Sequence, residues 1–182
     1  PLRLHARVVD LEREEQPGVE RREESRREPP LRQEGALVVG HRQDDVRAVI
    51  LTGAGRGFCS GGDVGGMGAG QDNRPHITKQ RISGEIQRFP KRLARFAKPI
   101  IAAVNGPAAG GGMDLALACD FRTASRSAQF AETYGKIGLL PGGGGAYFLP
   151  RIVGKARALE LLLTAEFIDA DTALDIGLVN HV

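Results

Sequence analysis

Residues 98–120, KPIIAAVNGPAAGGGMDLALACD, contain a strand signal, a turn signal and a helix signal in immediate succession. The apolar run Ile100–Val104 is short and partly β-branched, which predicts a buried strand. The tripeptide NGP at residues 105–107 ends this strand. Three consecutive glycines, residues 110–112, then precede a segment of good helix formers, residues 113–119. We therefore predict a strand, a turn, and a helix that begins with bare backbone.

A helix start without side chains leaves backbone N–H groups accessible to a ligand oxygen. The first N–H groups of a helix have no intrahelical partner, and the positive end of the helix dipole stabilises an oxygen that becomes negative during a reaction. Asp114 falls in the first helical turn, close to the same point. Two interpretations stay open: a site for such an oxygen beside Asp114, or glycines that only allow tight packing and an Asp114 that only favours the dipole.

A second glycine-rich unit, VRAVILTGAGRGFCSGGD, occupies residues 46–63. Residues 46–52 predict a strand, and residues 53–63 predict a glycine-rich loop. A phosphate-binding loop would close its glycines with Lys-Ser or Lys-Thr, which this loop lacks. Its glycines also miss the spacing that a dinucleotide-binding turn requires before a helix. The chain therefore repeats a strand followed by a glycine loop, without either phosphate motif.

Four motifs, in a fixed order along the chain, carry a resemblance to a known family. They are GAGRGFCSGGD, KPIIAAVNGPAAGGGMDLALACD, AQFAETYGKIGLLPGGGGAYFLPRIVG and ARALELLLTAE. Through them residues 46–182 closely resemble the crotonase superfamily, the enoyl-CoA hydratase/isomerase family. The resemblance implies an α/β fold of the crotonase-like (ClpP/crotonase) type, which is a superhelix of repeated ββα units.

The same resemblance implies a ligand and a setting. The expected ligand is an acyl-CoA thioester, in which coenzyme A enters as part of the substrate and no separate cofactor is needed. Family members act in fatty acid metabolism, including β-oxidation, and form homotrimers or hexamers made of two trimers. We expect such an assembly here if the native protein contains the C-terminal helices that the family carries beyond the position of Val182, since the helical segment of this chain is truncated there.

Two glycines take the positions of the family's oxyanion hole, a pair of backbone N–H groups that hold the thioester oxygen as it gains enolate character. They are Gly62 in the first glycine loop and Gly111, the middle glycine of the second. Such a hole serves hydration, double-bond shifts and other reactions, so it does not identify the reaction. The residues that the resemblance places around the bound substrate are Phe58, Ser60, Gly61, Asp63 and Gly110.

The acid and base groups depart from the hydratase pattern. Hydratases of the family carry one glutamate at the position of Asp114 and a second at the position of Tyr134. Here the first carboxylate is one methylene shorter, and the second group is a phenol, whose ordinary pKa of about 10 makes it a poor base but allows it to donate a proton. Glu132 points to the same side as Tyr134 if the segment is extended. We therefore predict Asp114 as the acid/base group, assisted by Tyr134 or Glu132.

Three functions remain open from the sequence. The first is an enoyl-CoA hydratase, a lyase, which needs a second proton-handling group beside Asp114. The second is an enoyl-CoA isomerase or another crotonase reaction that works with a single carboxylate, and the loss of the second glutamate favours it. The third is a non-catalytic acyl-CoA-binding paralogue, which the unusual N-terminal segment suggests.

Composition excludes several other classes of protein. A chain of 182 residues with 41% hydrophobic residues is long enough for one domain with a substantial core, and it contains no apolar run of membrane-spanning length. Its net charge of +3, without a basic patch interleaved with aromatic residues, gives no sign of nucleic-acid binding. The four histidines are scattered, so we expect no metal site. The two cysteines argue against a disulfide framework and, with no signal peptide recognisable, for a cytoplasmic protein.

Residues 1–45 differ from the rest of the chain. Arg and Glu dominate, as in LEREEQPGVERREESRREPP, and no period of 2 or 3.6 residues is sustained. We expect an atypical, charged and poorly ordered segment here, followed by a crotonase-like acyl-CoA-binding core over residues 46–182. The two strands and the coenzyme A-binding loop that the family carries in this region are not recognisable. A frameshifted reading of the gene is a second hypothesis for residues 1–45.

Local patterns predict further elements. Residues 64–73 are rich in glycine and predict a mobile loop. Residues 77–96 carry apolar side chains mostly at intervals of three or four, which predicts an amphipathic helical region that Pro90 kinks or divides and whose apolar side chains are mostly core. Lys155–Thr164 predicts a helix with a leucine face, and Asp169 predicts the cap of a last helix.

Overall fold

Groups of strands alternate with groups of helices along the computed structural model. The model describes residues 4–7, 36–38, 47–62 and 74–182. Its strands are β1 (Leu4–Arg7), β2 (Ala36–Val38), β3 (Val49–Gly53), β4 (Ile100–Val104), β5 (Ala108–Ala109), β6 (Phe121–Ala124), β7 (Gln129–Ala131) and β8 (Ile168–Asp169). Its α-helices are α1 (Pro75–Arg81), α2 (Arg88–Leu93), α3 (Gly111–Leu117), α4 (Gly145–Val153), α5 (Lys155–Thr164) and α6 (Ala170–Asp175). A π-helical turn covers Ile82–Ile86, and a 3₁₀ turn covers Thr133–Ile137.

The strands form a larger sheet with the order β2-β1-β3-β4-β6 and a smaller one with the order β5-β7-β8. In the larger sheet β4 pairs in parallel with both β3 and β6, so the chain must cross over between these strands. β1 is antiparallel to β3. The parallel strands bring the loops that follow β3 and β4 to the same edge of the sheet, and these are the two glycine loops.

A unit of two strands and a helix repeats along the chain. In each unit one strand joins the larger sheet, a short strand joins the smaller sheet, and a helix follows. β4, β5 and α3 form one such unit, while β6, β7 and α4 form the next. A unit that precedes these two begins with β3. This strand is followed by a single parallel bridge from Cys59 to Ala108 in β5. This arrangement confirms the predicted superhelix of ββα units.

The core encloses α3 on all sides. Alternate residues of β4, namely Ile100, Ala102 and Val104, are buried, as the apolar run predicts for a central strand. Every residue of α3 from Gly112 to Leu117 is also buried, and the helix packs against β5 and α4. A helix that is buried all round carries any polar side chain into the interior. Asp114 is that side chain in α3.

Several local predictions are confirmed. β4 and α5 have the predicted bounds, and Asp169 caps α6 by accepting a hydrogen bond from the Thr172 N–H at 2.8 Å. The strand predicted at 46–52 is found as β3, which is displaced toward the glycine loop.

Two short strands lie within residues 1–45, where the sequence shows no sustained strand pattern. β1 pairs with β2 and β3, so both extend the larger sheet. The three or four residues of each strand are too few for a period to stand out among the charged residues. The rest of this segment, and the loop predicted at 64–73, lie outside the described residues, and the division of the chain at residue 46 stays a prediction.

The helical region at 77–96 differs from its prediction. α1 and α2 are separated by the π-helical turn, and Pro90 lies in the first turn of α2, where its missing N–H costs no hydrogen bond. The prediction that its apolar side chains are mostly core is wrong for Ile86, Phe89 and Phe96, which are 45%, 40% and 51% exposed. Among the described elements, α1 contacts mainly the π-helical turn, which also contacts α2, and these three side chains remain exposed. No helix in the described part of the chain combines the length and apolar character that crossing a bilayer requires.

Candidate active site

Asp114 lies in the first turn of α3 and is 1% exposed. The helix begins after Gly110, whose φ of +51° suits glycine, and the Asp114 N–H donates to the Gly110 carbonyl at 2.9 Å. The Gly110 N–H in turn donates to the carbonyl of Ala131 in β7 at 2.8 Å. The smaller sheet therefore fixes the start of the helix, and the helix fixes the position of the Asp114 carboxyl group.

Three donors hold this carboxyl group. The Tyr134 phenol donates to Oδ2 at 2.5 Å, the Gly143 N–H donates to Oδ2 at 3.0 Å, and the Gly145 N–H donates to Oδ1. Both amides belong to the glycine turn at 142–145, which leads into α4. Hydrogen bonds to a charged oxygen are about twice as strong as neutral ones. The arrangement therefore stabilises the ionised form of Asp114.

Glu132 lies beside this carboxyl group at the end of β7. Its side chain is 0% exposed, and in the described part of the chain neither of its carboxyl oxygens has a hydrogen-bonding partner. It neighbours Asp114 across Gly145, because a methyl group built on Gly145 would contact both Glu132 Oε1 and Asp114 Oδ1. Burial, followed by the charge of Asp114, raises the pKa of Glu132 to about 9. Burial also raises the pKa of Asp114, against the lowering effect of its hydrogen bonds.

The phenol of Tyr134 connects the buried carboxyl groups to the more open part of the site. Tyr134 is half-buried on the 3₁₀ turn. Burial, followed by the charge of Asp114, raises the pKa of this phenol above its ordinary value. The hydroxyl group therefore keeps its proton at neutral pH and donates it to the hydrogen bond with Asp114.

The two backbone groups predicted for the oxyanion hole lie next to each other. Gly61 has a φ of +87°, and a methyl group built on it would lie 2.9 Å from Gly111 N. A methyl group built on Gly111 would lie 3.7 Å from Gly62 N and 3.5 Å from the Tyr134 hydroxyl oxygen. Among the residues that the structure describes, neither the Gly62 N–H nor the Gly111 N–H has an acceptor. The two backbone donors and the phenol therefore lie close together.

The other residues predicted to contact a substrate fall into separate groups. Ser60 is exposed, whereas Gly61 and Gly110 adopt positive φ angles and shape the loop and the helix start. Phe58 is 0% exposed and belongs to the hydrophobic core. The Phe58 ring therefore anchors the glycine loop to the core, and a contact of this residue with a substrate stays a prediction. Asp63 lies outside the described residues.

The sequence reasoning missed the role of the glycine turn at 142–145. The turn appeared in the sequence only as part of a family motif, yet it supplies two of the three donors to Asp114. A methyl group built on Gly143 would lie 2.5 Å from Asp114 Oδ2, so the missing side chains make room for the carboxyl group. A signal was present, because four consecutive glycines are more than a tight turn requires.

A cavity of about 450 Å³ opens beside the site. Gly143, whose N–H holds Asp114, forms part of its wall. Pro90, Ala94, Tyr147 and Phe148 give much of the wall an apolar surface, and Gln87, Lys91 and Arg95 also line it. An apolar group placed in this cavity would therefore extend to the immediate neighbourhood of the Asp114 carboxyl group.

No group of three or more His, Cys, Asp or Glu side chains among the described residues is arranged to hold a metal ion. The described site contains two carboxyl groups, a phenol and backbone amides.

Comparison with known proteins agrees with this geometry. The family model for Enoyl-CoA hydratase/isomerase matches residues 34–182. A 1,2-epoxyphenylacetyl-CoA isomerase of Escherichia coli K12 is 41% identical over 145 residues, which cover 78% of this chain and 54% of that protein. A short-chain-enoyl-CoA hydratase of Clostridium acetobutylicum is 45% identical over 148 residues, which cover 80% of this chain and 55% of that protein. The chain thus spans about half the length of the curated relatives it matches.

A solved structure shows the same fold. The crystal structure of an enoyl-CoA hydratase from Polaromonas sp. JS666 matches with a TM-score of 0.71 and 41% identity, over 78% of this chain and 55% of that one. A superhelix of ββα units with two adjacent backbone donors beside a buried carboxyl group defines a crotonase-like α/β protein. The chain belongs to the enoyl-CoA hydratase/isomerase family of the crotonase superfamily.

Proposed function

We propose that this protein is an enoyl-CoA hydratase-like enzyme that adds water across the 2,3 double bond of an acyl-CoA thioester. The observation that supports this most directly is the proximity of the backbone N–H groups of Gly62 and Gly111 to the hydrogen-bonded Tyr134–Asp114 pair. The reaction needs donors for an oxygen that becomes negative and a carboxylate that moves a proton, and these are the two parts present. Coenzyme A enters as part of the substrate.

The steps follow from the positions of these groups. The thioester oxygen accepts hydrogen bonds from Gly62 and Gly111. Asp114 takes a proton from a water molecule while the water oxygen bonds to C3, and the electrons of the double bond move through C2 onto the thioester oxygen to give an enolate. The enolate re-forms the carbonyl group as C2 takes a proton from the Tyr134–Asp114 pair. The product carries the hydroxyl group at C3 and the new hydrogen at C2.

Each part contributes a recognisable share of the rate. Removing one oxyanion donor typically costs about 3 kcal/mol in the barrier, so the pair of N–H groups makes the largest contribution. A positioned acid/base group contributes about 10²- to 10⁴-fold. The hydrogen bond from Tyr134 orients the Asp114 carboxylate toward the substrate position, which protects this contribution from misplacement.

A second candidate is an enoyl-CoA isomerase. In that reaction one carboxylate takes a proton from one carbon of the substrate and returns it to another, while the same oxyanion hole holds the enolate. The isolation of Glu132 favours this candidate. In the described part of the chain neither of its carboxyl oxygens has a hydrogen-bonding partner, whereas Asp114 is the carboxyl group that accepts from the Tyr134 phenol.

Crotonyl-CoA distinguishes the two reactions when it is given to the purified protein. A hydratase removes the absorbance of the conjugated thioester and yields 3-hydroxybutyryl-CoA. An isomerase leaves that absorbance in place and instead creates it from a 3-enoyl-CoA. Binding of both thioesters without turnover of either would contradict both reactions and support a non-catalytic acyl-CoA-binding protein.

We place the acyl group of the substrate in the apolar cavity beside Gly143. Ala94→Phe would fill part of this cavity, so we expect it to raise KM for longer acyl chains more than KM for crotonyl-CoA. KM measured across a series of 2-enoyl-CoA chain lengths checks this. Ala97→Phe is the matched control because Ala97 is exposed and does not line the cavity. Equal effects of the two variants would show that the acyl group lies elsewhere.

Gly145→Ala should reduce kcat on the order of 100-fold, because its methyl group would displace both buried carboxyl groups and a shift of about 1 Å costs that much. Steady-state turnover of crotonyl-CoA measures the loss. Ala146→Gly is the control, since Ala146 is the exposed next residue of α4 and its replacement changes only helix propensity. Wild-type kcat in Gly145→Ala would show that the carboxyl positions do not matter to the reaction.

We also propose that the native protein assembles as a homotrimer or as a dimer of trimers and works in fatty acid β-oxidation. Large apolar side chains that face solvent in this chain support an assembly, notably Leu140 at 88% and Leu163 at 79% exposure. The mass of the protein in solution, measured by light scattering, tests the oligomeric state. A monomer at micromolar concentration would contradict it.

A further inference from the structure

Asp114 and Glu132 form a buried carboxyl pair whose surroundings are unequal. Asp114 accepts three hydrogen bonds, whereas Glu132 accepts none within the described chain and is 0% exposed. Both carboxyl groups border the same point next to Gly145. A charge placed on Glu132 would lie in a dry interior without a donor, while a charge placed on Asp114 has three donors.

The groups that face Glu132 strengthen this inequality. Asp114 of α3 is the charged group that acts on it, and Tyr134, on the turn that follows Glu132, is the other titratable neighbour. The glycine turn before α4 contributes only backbone at this point, and its Gly143 and Gly145 amides already donate to Asp114. Two adjacent like charges would repel each other, so the pair holds one proton and one charge at neutral pH.

We propose that Glu132 is a positioning residue, which holds the single proton of this carboxyl pair and thereby confines the negative charge to Asp114. The charge then lies on the carboxylate that Tyr134 connects to the oxyanion hole. At high pH the pair loses the one proton that it holds at neutral pH. Asp114 and Glu132 are then both negatively charged next to Gly145, and their repulsion pushes Asp114 away from its donors. The proton location stands on the geometry alone, whereas its catalytic consequence rests on the proposed function.

Glu132→Gln is the sharpest variant because the amide is the neutral isostere of the protonated side chain. The rates of the wild type and of Glu132→Gln are each compared across pH with that protein's own rate at pH 7. The wild-type rate should fall about tenfold per pH unit above an apparent pKa near 9, and Glu132→Gln should lack that fall. A merely structural role would not change the pH profile. Loss of activity at pH 7 as large as in Asp114→Asn, or an unchanged alkaline fall, would overturn the proposal.

Thermal unfolding tests the proton without any need for activity. Glu132 has an ordinary pKa of 4.5 when unfolded and about 9 when folded, so between these values the unfolded state loses a proton that the folded state keeps. The contribution of Glu132 to the free energy of unfolding is therefore fully present below pH 4.5, and it is lost as the pH rises toward 9. We expect the Tm of Glu132→Gln to exceed that of the wild type by about 5 °C or more at pH 8, and the gap to close near pH 5. A parallel pH dependence of the two Tm values would overturn the proposal.

Infrared spectroscopy of the wild-type protein gives the answer even if the variant does not fold. A protonated carboxyl group has a carbonyl stretch that an ionised one lacks. This band should be present at pH 7, lose about half its intensity near pH 9, vanish above it, and shift when the glutamates carry ¹³C in the carboxyl group. A shift with ¹³C-labelled aspartate instead would place the proton on Asp114 and overturn the proposal. If the protein does not turn over crotonyl-CoA, this result would contradict the proposed function but not the location of the proton.

Discussion

Asp114→Asn should lower the turnover of crotonyl-CoA by about 10²- to 10⁴-fold in a protein that still folds. The amide does not accept a proton at neutral pH, so the step that activates water is lost. The asparagine side chain also places an NH₂ group where one carboxylate oxygen was. In the wild type, Oδ2 accepts from the Gly143 N–H and Oδ1 accepts from the Gly145 N–H. One of these amides therefore loses its acceptor, at a cost of about 1–3 kcal/mol, while the removal of a buried charge offsets part of it.

Loss of conjugated thioester absorbance measures the rate, and circular dichroism shows whether the variant folds. Asp114→Glu is the informative comparison, because it keeps the charge but its extra methylene has no room against Gly143 and Gly145. We expect it to lose on the order of 100-fold through displacement of the carboxylate. Asp171→Asn, at an exposed position in α6, controls for the loss of one negative charge. An Asp114→Asn variant with nearly wild-type turnover would remove Asp114 from the mechanism.

Much of the fold was accessible from the sequence because its signals are local. Ile100–Val104 is apolar at every position, which distinguishes a central strand, and the helix Lys155–Thr164 ends its leucine face where the observed helix ends. The family resemblance implied the placement of Gly62 and Gly111 in one site, and the parallel pairing of β3 with β4 brings their two loops to one edge of the sheet. Asp114, Tyr134 and Glu132 were all named from sequence, and the structure brings them together.

The features that could not be predicted from the sequence depend on contacts between residues that are distant along the chain. No local pattern shows that Glu132 is buried without a partner, because its environment is made by α3 and by the glycine turn at 142–145. The exposure of Phe89 likewise depends on which elements cover α2, and its three- and four-residue spacing looks the same in a covered helix and an uncovered one. Periodicity identifies a face, whereas the neighbour that covers the face is set by the whole fold.

Gly112→Ala should destabilise the protein by about 3 kcal/mol or more. The methyl group would contact the backbone carbonyl of Cys59, with the carbonyl carbon at 2.6 Å. That backbone cannot step aside cheaply, because the Cys59 carbonyl accepts from the Ala109 N–H at 2.9 Å and the Cys59 N–H donates to Pro107 at 3.1 Å. The glycine therefore serves backbone-to-backbone packing, the interpretation that the sequence left open beside the catalytic one.

The urea midpoint of unfolding measures the destabilisation of Gly112→Ala. Gly84→Ala is the matched control, since a methyl group built on Gly84 meets nothing within 4 Å and the turn around it is helical. Where Gly112→Ala still folds, the first glycine loop must have moved away from α3, so the Gly62 and Gly111 N–H groups no longer lie close together and turnover should fall with stability. A variant with the wild-type midpoint and wild-type turnover would show that the contact between the two glycine loops is looser than these distances require, and the oxyanion hole would then need another explanation.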